Sequence, residues 1–268
     1  MSQPIVVVDA FADRPFRGNP AAVCLLEAPR SEAWMKDVAA EMNLSETAFL
    51  IRTGDAYGLR WLTSTVEVDL CGHATLASAH ILWEDGHADA GATIHFDTRS
   101  GRLSAVRRGD VISLDFPAKA ALPGDPPPGL AEALGVDPVA STRNEFDALV
   151  EVATEAEVRA ARPDFSALGK FAVRGVVLTS RASTPGYDFV SRFFAPASGV
   201  DEDPVTGSAH STLIPYWAEK LGKIELRARQ ISPRGGDLWC RLCDGGRVDI
   251  SGYAVTYAVG ELMVGATG

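Results

Sequence analysis

Two short stretches, Cys71-Gly72-His73-Ala74 and Thr206-Gly207-Ser208-Ala209, stand 135 positions apart in a chain of 268 residues. Each follows a run that reads as extended and opens one that reads as helical. Val66 and Val68 alternate with polar residues before the first, and Ala74, Leu76, Ala77, Ile81 and Leu82 keep a helical apolar pattern after it. Strands bearing Trp61 and Phe193-Phe194 precede the two turns. An offset of almost half the chain is what an internal duplication leaves. The expectation is two like halves, each holding one helix that starts at a glycine turn.

Such a helix start points backbone N–H groups and the positive end of the helix dipole outward. It is an anion site before any side chain is considered. A small carboxylate is the expected anion, with Gly72 and Gly207 giving it close access to the backbone.

Composition narrows the partners. Apolar residues make up 46% and charged residues 22%, ordinary values for a soluble globular chain. The length allows one large or two medium cores. A net charge of −10 and the lack of any basic run exclude nucleic acid and anionic membrane as partners. No apolar stretch approaches the ~20 residues that span a bilayer. The start of the chain, Ser2-Gln3-Pro4-Ile5-Val6-Val7-Val8-Asp9, has no positive region and too short an apolar run for a signal peptide. Cys24, Cys71, Cys240 and Cys243 make no disulfide framework, so a reducing, cytoplasmic setting is expected.

Along the chain, Ile5–Phe11 and Ala21–Leu26 read as a hairpin around Arg17-Gly18-Asn19-Pro20. Ser31 caps a helix that runs to Met42 and exits at Asn43. Strands are expected at 47–51, 59–62, 92–96, 101–107 and 111–116. The Pro/Gly stretch 121–128 is the linker, dividing residues 1–121 from 122–268. The second half holds a helix at 130–134, strands at 148–152, 173–179 and 187–194, a charged helix at 155–161, and the glycine-turn helix 207–221. Pro215 should kink that helix or end a short first segment. Strands at 224–230, 238–243, 247–252 and 255–264 close the chain, the last one free to return to the first half. The expected fold is α+β: two pseudo-symmetric halves, each a strongly curved antiparallel sheet or barrel around a central helix.

Several residues carry chemistry. Glu46, in Asn43-Leu44-Ser45-Glu46-Thr47-Ala48-Phe49, lies where a helix gives way to an apolar strand. Desolvation there makes a carboxylate a better base, against the plainer reading of a surface or capping Glu. His73 sits in the first turn of its helix, where a histidine also simply binds backbone. Asp203 precedes the second turn as Asp69 precedes the first, a usual place for a turn carboxylate. Ser208 starts the second helix. His80, His87, His95 and His210 are scattered, without metal-ligand spacing. Cys240 and Cys243 form a lone pair without the second ligand pair of a zinc ribbon, which points to packing. A thiolate at Cys71 would gain from the helix start, but its counterpart is Thr206. No phosphate loop or dinucleotide fingerprint occurs.

The sequence resembles the PhzF family, named for phenazine biosynthesis, whose members share the diaminopimelate-epimerase fold. Four ordered motifs carry the likeness: Asp9-Ala10-Phe11 with Pro15-Phe16-Arg17-Gly18-Asn19-Pro20-Ala21-Ala22-Val23, the Asn43–Phe49 stretch, Glu67-Val68-Asp69-Leu70-Cys71-Gly72-His73-Ala74-Thr75, and Glu202-Asp203-Pro204-Val205-Thr206-Gly207-Ser208-Ala209-His210. The resemblance implies a cofactor-independent isomerase, without metal or organic cofactor, in which Glu46 moves a proton on a small carboxylate substrate. It implies that His73, Asp203 and Ser208 line a cleft between the halves. Asn19, Cys71, Gly72, Thr206 and Gly207 complete the expected substrate-binding set. Members are commonly homodimers, and no stretch of this sequence marks a self-association surface. Two departures stand out. Related epimerases use one cysteine from each half, whereas Thr206 replaces the second here, and Leu62-Thr63-Ser64 stands where members often carry Phe-Thr-Pro. The alternatives are a thiol-dependent racemase using Cys71 and a non-catalytic metabolite-binding protein.

Overall fold

The computed structural model describes residues 2–122 and 126–263. Within them the chain makes two compact units, one of the residues up to Asp115 with those from Ser251 onward, the other Phe116–Ile250. The crossing therefore falls a few residues before the expected division at 121/122, and the final strand returns to the first unit. The centre of the expected linker, residues 123–125, and the end of the last expected strand, Val264, lie outside the described residues. No described helix is long and apolar enough to cross a membrane.

The first unit begins with β1 (Ser2–Ala10) and β2 (Asn19–Leu26), an antiparallel pair with Ala10 opposite Asn19. Helix α1 (Glu32–Met42) follows, with Ser31 accepting from the Trp34 N–H and Asn43 closing it in the left-handed region at φ 50°. Then come β3 (Glu46–Thr53), β4 (Ala56–Leu62), the short β5 (Glu67–Val68) and α2 (Gly72–Glu84). After α2, β6 (Ile94–Thr98), β7 (Gly101–Arg108) and β8 (Val111–Pro117) lead out of the unit.

The second unit has α3 (Leu130–Leu134), β9 (Ala140–Arg143), β10 (Asp147–Glu151), α4 (Glu155–Ala160), α5 (Phe165–Leu168), β11 (Gly175–Arg181), β12 (Phe189–Ala195) and β13 (Val200–Asp203). Helix α6 (Gly207–Leu221), β14 (Glu225–Gln230), β15 (Gly236–Cys243) and β16 (Arg247–Gly252) follow. Finally β17 (Ala254–Met263) pairs antiparallel with β1 in the first unit.

The two units repeat one pairing scheme. In the first, β1–β2 is antiparallel, β2–β3 parallel, β3–β4 antiparallel, β4–β5 antiparallel, β4–β6 parallel and β6–β7 antiparallel. In the second, β9–β10, β10–β11, β11–β12, β12–β13, β12–β14 and β14–β15 follow the same sequence of senses. The sheets are thus mixed rather than antiparallel throughout. The parallel pairs arise because helical crossovers, α1 and α2 in one unit and α4–α5 and α6 in the other, return the chain in its original direction.

Sequence explains the layers. In β2 the run Asn-Pro-Ala-Ala-Val-Cys-Leu-Leu is apolar on both faces. Ala22, Cys24 and Leu26 pack with Met35, Val38 and Ala39 of α1, and the other face meets α2. A strand buried on both sides loses the polar alternation of a surface strand. Helix α2 is buried at every position from Gly72 to Trp83, as its small residues Ala74, Ala77, Ser78 and Ala79 permit.

Helix α6 runs unbroken through Pro215. A proline cannot donate to the carbonyl four residues back. That carbonyl, of Ser211, instead accepts the Lys119 N–H at 2.9 Å, so the expected short first segment does not form.

Candidate active site

In the first unit three elements converge on the start of α2. Strands β2 and β3 run parallel, with Ala21 opposite Glu46, so their first residues Asn19 and Glu46 sit at the same end. The turn before β2 is tight. Gly18 has φ +65°, and a Cβ there would lie 2.1 Å from the Ala10 carbonyl oxygen. Phe11 and Phe16 also hold positive φ, at 61° and 68°, and Asp9 accepts the Phe16 N–H at 2.7 Å. Non-glycine residues in that region carry strain that surrounding structure must hold.

The approach to α2 is braced by a fork. Arg60 on β4 donates from Nε and a terminal nitrogen to the buried Glu67 carboxylate at 2.8 and 2.5 Å, and Arg99 reaches the same carboxylate at 2.7 Å. The second unit repeats this device: Arg192 on β12 holds Glu202 on β13 at 2.7 and 2.8 Å. Each fork fixes the strand that delivers the chain to the following helix. Gly72 and Gly207 are the first residues of α2 and α6 and neither has positive φ. Their value is the missing side chain at the helix mouth, not special backbone freedom.

His73 is 4% exposed, and burial pushes its pKa down to about 3. The imidazole is therefore neutral, and its contact with Glu46 is not an ion pair. Asn19 Nδ2 lies 3.1 Å from His73 Nδ1. An amide nitrogen only donates, so Nδ1 accepts and the ring proton belongs on Nε2. That nitrogen faces Glu46 Oε2 at 3.2 Å, close but outside hydrogen-bond alignment. The Glu46 side chain is 18% exposed, so it is partly desolvated and still open to a ligand. Cys71, the extended residue before α2, sets Sγ 3.5 Å from His73 Nδ1. One ligating atom each from Glu46, Cys71 and His73 lies within 4.8 Å of the others.

The start of α6 is organised differently. Thr206 occupies the place of Cys71. Its hydroxyl donates to Asp203 Oδ2 at 2.5 Å, and its N–H donates to Gln230 Oε1 at 2.8 Å. The Gln230 amide nitrogen donates to the Asp203 carbonyl at 2.7 Å and to Thr206 Oγ1 at 3.1 Å. Ser208, half-buried, holds the position of His73. His210 is buried. Its Nδ1 donates to the Thr206 carbonyl at 2.8 Å, and burial pushes its pKa down to about 4. At the equivalent place in α2, Thr75 Oγ1 donates to the Cys71 carbonyl at 2.5 Å. Asp69 does not match Asp203: its side chain is 78% exposed, and what the turn uses is its carbonyl, which accepts from Ser100 Oγ.

Asn19, Glu46, Cys71, Gly72 and His73 thus gather in the first unit, and Asp203, Thr206, Gly207 and Ser208 in the second. The sequence reading missed Gln230. Its signal was a polar residue continuing the buried register of Leu226 and Ala228 along one strand face. Cys240 is buried and its thiol is pushed up by burial, in keeping with packing.

Comparison with known proteins decides the family. The model of the phenazine biosynthesis-like protein family, PhzC-PhzF, matches residues 8–260. The chain belongs to the PhzF family. A relative from Halalkalibacterium halodurans, named an uncharacterized isomerase, is 51% identical over 265 residues, covering 98% of this chain and 100% of its own. The crystal structure of a PhzF-family phenazine biosynthesis protein from Enterococcus faecalis superposes with a TM-score of 0.91 at 43% identity, over 98% of this chain and 100% of that one. A hydroxyproline epimerase from Agrobacterium vitis shares the fold alone, with a TM-score of 0.64 at 13% identity and coverage of 97% and 92%. This PhzF-family chain therefore has the curved, two-part epimerase-like architecture that its internal repeat implies.

Proposed function

We propose that this PhzF-family chain is a cofactor-independent isomerase that moves a proton within a small carboxylate, with Glu46 as the acid/base. The observation that carries the reading is the Glu46 carboxylate set 3.2 Å from a neutral, buried His73 at the mouth of α2. The relatives named as isomerases agree with it. The N–H groups of the first helical turn hold the substrate carboxylate. Glu46 takes a proton from carbon, and the electron pair moves onto the conjugated carboxylate. Glu46 then returns the proton to a different carbon, so no net oxidation occurs. His73, kept neutral and oriented by Asn19, offers Nε2–H to the oxygen on which charge develops. On the second unit we assign Ser208 as the candidate hydroxyl donor at its own helix mouth and Asp203 as the carboxylate that fixes Thr206 there. Gly72 and Gly207 leave both helix mouths open. On this reading the enzyme works as a homodimer in a cytoplasmic setting.

A second reading rests on Cys71, whose Sγ is 3.5 Å from His73 Nδ1. It would make the thiol the proton carrier of a racemase. Against it, the matching position in the second unit is a hydrogen-bonded threonine.

Exchange of substrate C–H in deuterated buffer tests the proposal with a panel of small unsaturated and cyclic carboxylates. Glu46→Gln keeps size and polarity and removes basicity, so exchange should fall by ~10²–10⁴. Thermal stability should hold. Undiminished exchange in Glu46→Gln would overturn the assignment and pass the proton to Cys71. Tight binding without exchange in the unaltered chain would make it a metabolite-binding protein.

A further inference from the structure

We propose that Glu46, Cys71 and His73 form a binding site for a borderline-soft divalent cation of the zinc type, and that an ion there blocks the enzyme. The blocking half rests on the proton-transfer reading above; the metal site stands on ligand geometry alone.

Among the described residues, this is the group of three acidic, thiol or imidazole side chains whose ligating atoms all come within 4.8 Å of each other. The set of one sulfur, one nitrogen and one oxygen suits zinc and its congeners and is wrong for magnesium or calcium, which take oxygen. Tetrahedral zinc, with bonds of about 2.0–2.3 Å, places its ligand atoms about 3.3–3.8 Å apart. Two contacts are already close to that, Sγ to Nδ1 at 3.5 Å and Nε2 to Oε2 at 3.2 Å. They use opposite ring nitrogens, so binding selects one and draws the remaining ligand in by about an ångström.

Local backbone makes the pair of neighbours possible. Cys71 is extended, at φ −141° and ψ 113°, and His73 is already in the helix. That change of direction folds Sγ back onto the ring. The thiol gives up its proton on binding: Cys71–SH and M²⁺ give a metal–thiolate bond and one proton released to solvent. Thiolate and carboxylate then balance the two positive charges, which offsets the unfavourable positive end of α2. The partly exposed side of Glu46 leaves a fourth position for water, the pattern of three protein ligands and one open site. If Nε2 takes the metal, Asn19 serves the outer shell by turning its amide oxygen to Nδ1–H.

Cobalt(II) is the probe. Titrating the reduced, metal-stripped chain should give, at one equivalent, tetrahedral visible bands and a thiolate-to-cobalt charge-transfer band. Zinc should abolish both, and either metal added to the stripped chain should release about one proton per ion. Cys71→Ser should lose the charge-transfer band, Glu46→Gln should bind at least about tenfold more weakly, and Cys243→Ser, at the half-exposed thiol of the second unit, should change nothing. Should Cys71→Ser not fold, zinc should still slow alkylation of Cys71 in the unaltered chain, read by peptide mass. A charge-transfer band that survives Cys71→Ser or vanishes in Cys243→Ser overturns the site, as does the lack of both band and protection. Turnover untouched by saturating zinc removes the blocking claim while the cobalt spectrum keeps the site. Loss of the Glu46 mechanism would leave that spectrum unchanged.

Discussion

The two helix mouths are built from one plan and finished for different work. Both follow an Arg–Glu fork, Arg60–Glu67 and Arg192–Glu202, and both send a side chain four residues on back to the carbonyl before the helix. At α2 the neighbouring strands open on Asn19 and Glu46, and the first turn carries His73. At α6 the equivalent strands open on Asp147 and Gly175. Arg174 holds Asp147 at 2.9 Å, and the Phe193 ring covers Gly175 so closely that a Cβ there would sit 2.2 Å from Cζ. One mouth keeps a carboxylate and an imidazole facing each other. The other spends its polar groups on one another, Asp203 and Gln230 around Thr206. The scaffold occurs twice, and the facing carboxylate and imidazole stand on one copy.

The contrast can be broken from the second unit. Gly175→Val forces a branched side chain into the Phe193 ring, where a well-packed interior has no room. A loss of about 3 kcal/mol is expected in urea unfolding, whereas β3 carries Glu46 at its matching first position without such cover. A loss under about 1 kcal/mol would show that the ring moves aside and that Gly175 is not held by it.

Gln230→Ala removes the acceptor of the Thr206 N–H and both donations to Asp203 and Thr206. Leaving a buried N–H without its acceptor costs about 1–3 kcal/mol, so about 2 kcal/mol should be lost. Equal stability in Gln230→Ala would mean that this network does not hold the start of α6.

His210 sharpens the comparison through pH. Its pKa is about 4 in the folded chain, below the ordinary 6.5, because burial disfavours the cation. The unfolded chain binds that proton first, so stability is complete above 6.5 and is lost as pH falls toward 4. At pH 5 the loss is about 2 kcal/mol. His210→Asn should take about half the steepness out of that part of the stability–pH curve, because the buried His73 titrates over the same range, and an unchanged slope would assign it elsewhere.

Much of this architecture was legible in the sequence. Helices α1, α2 and α6 announce their starts at Ser31, Gly72 and Gly207, and Asn43 and Gly222 take the left-handed exits expected of them. The gathering of Asn19, Glu46 and His73 was legible through the family motifs alone, because parallel pairing of β2 with β3 joins residues far apart in the chain. Short elements escaped. Helix α5 has four residues and one cap, Asp164, and β9 has four residues with no apolar alternation. Pro215 was read from its local cost, while its remedy, the Lys119 N–H, comes from a segment almost a hundred residues earlier. Gln230 was hidden because one strand's sequence does not show that its last side chain meets Thr206 and Asp203.

The pairing of β1 with β17 has a consequence for the newborn chain. Ser2 faces Met263 and Ala10 faces Ala254, so one side of β1 stays uncovered until the chain beyond Ala254 has been synthesised. At synthesis rates of about 5–20 residues per second, that side of an apolar strand stays open for on the order of ten seconds or more. An uncovered strand edge is a template for stray pairing. The unit that carries Glu46 and His73 is therefore closed only after the second unit, 116–250, has its own strands in hand.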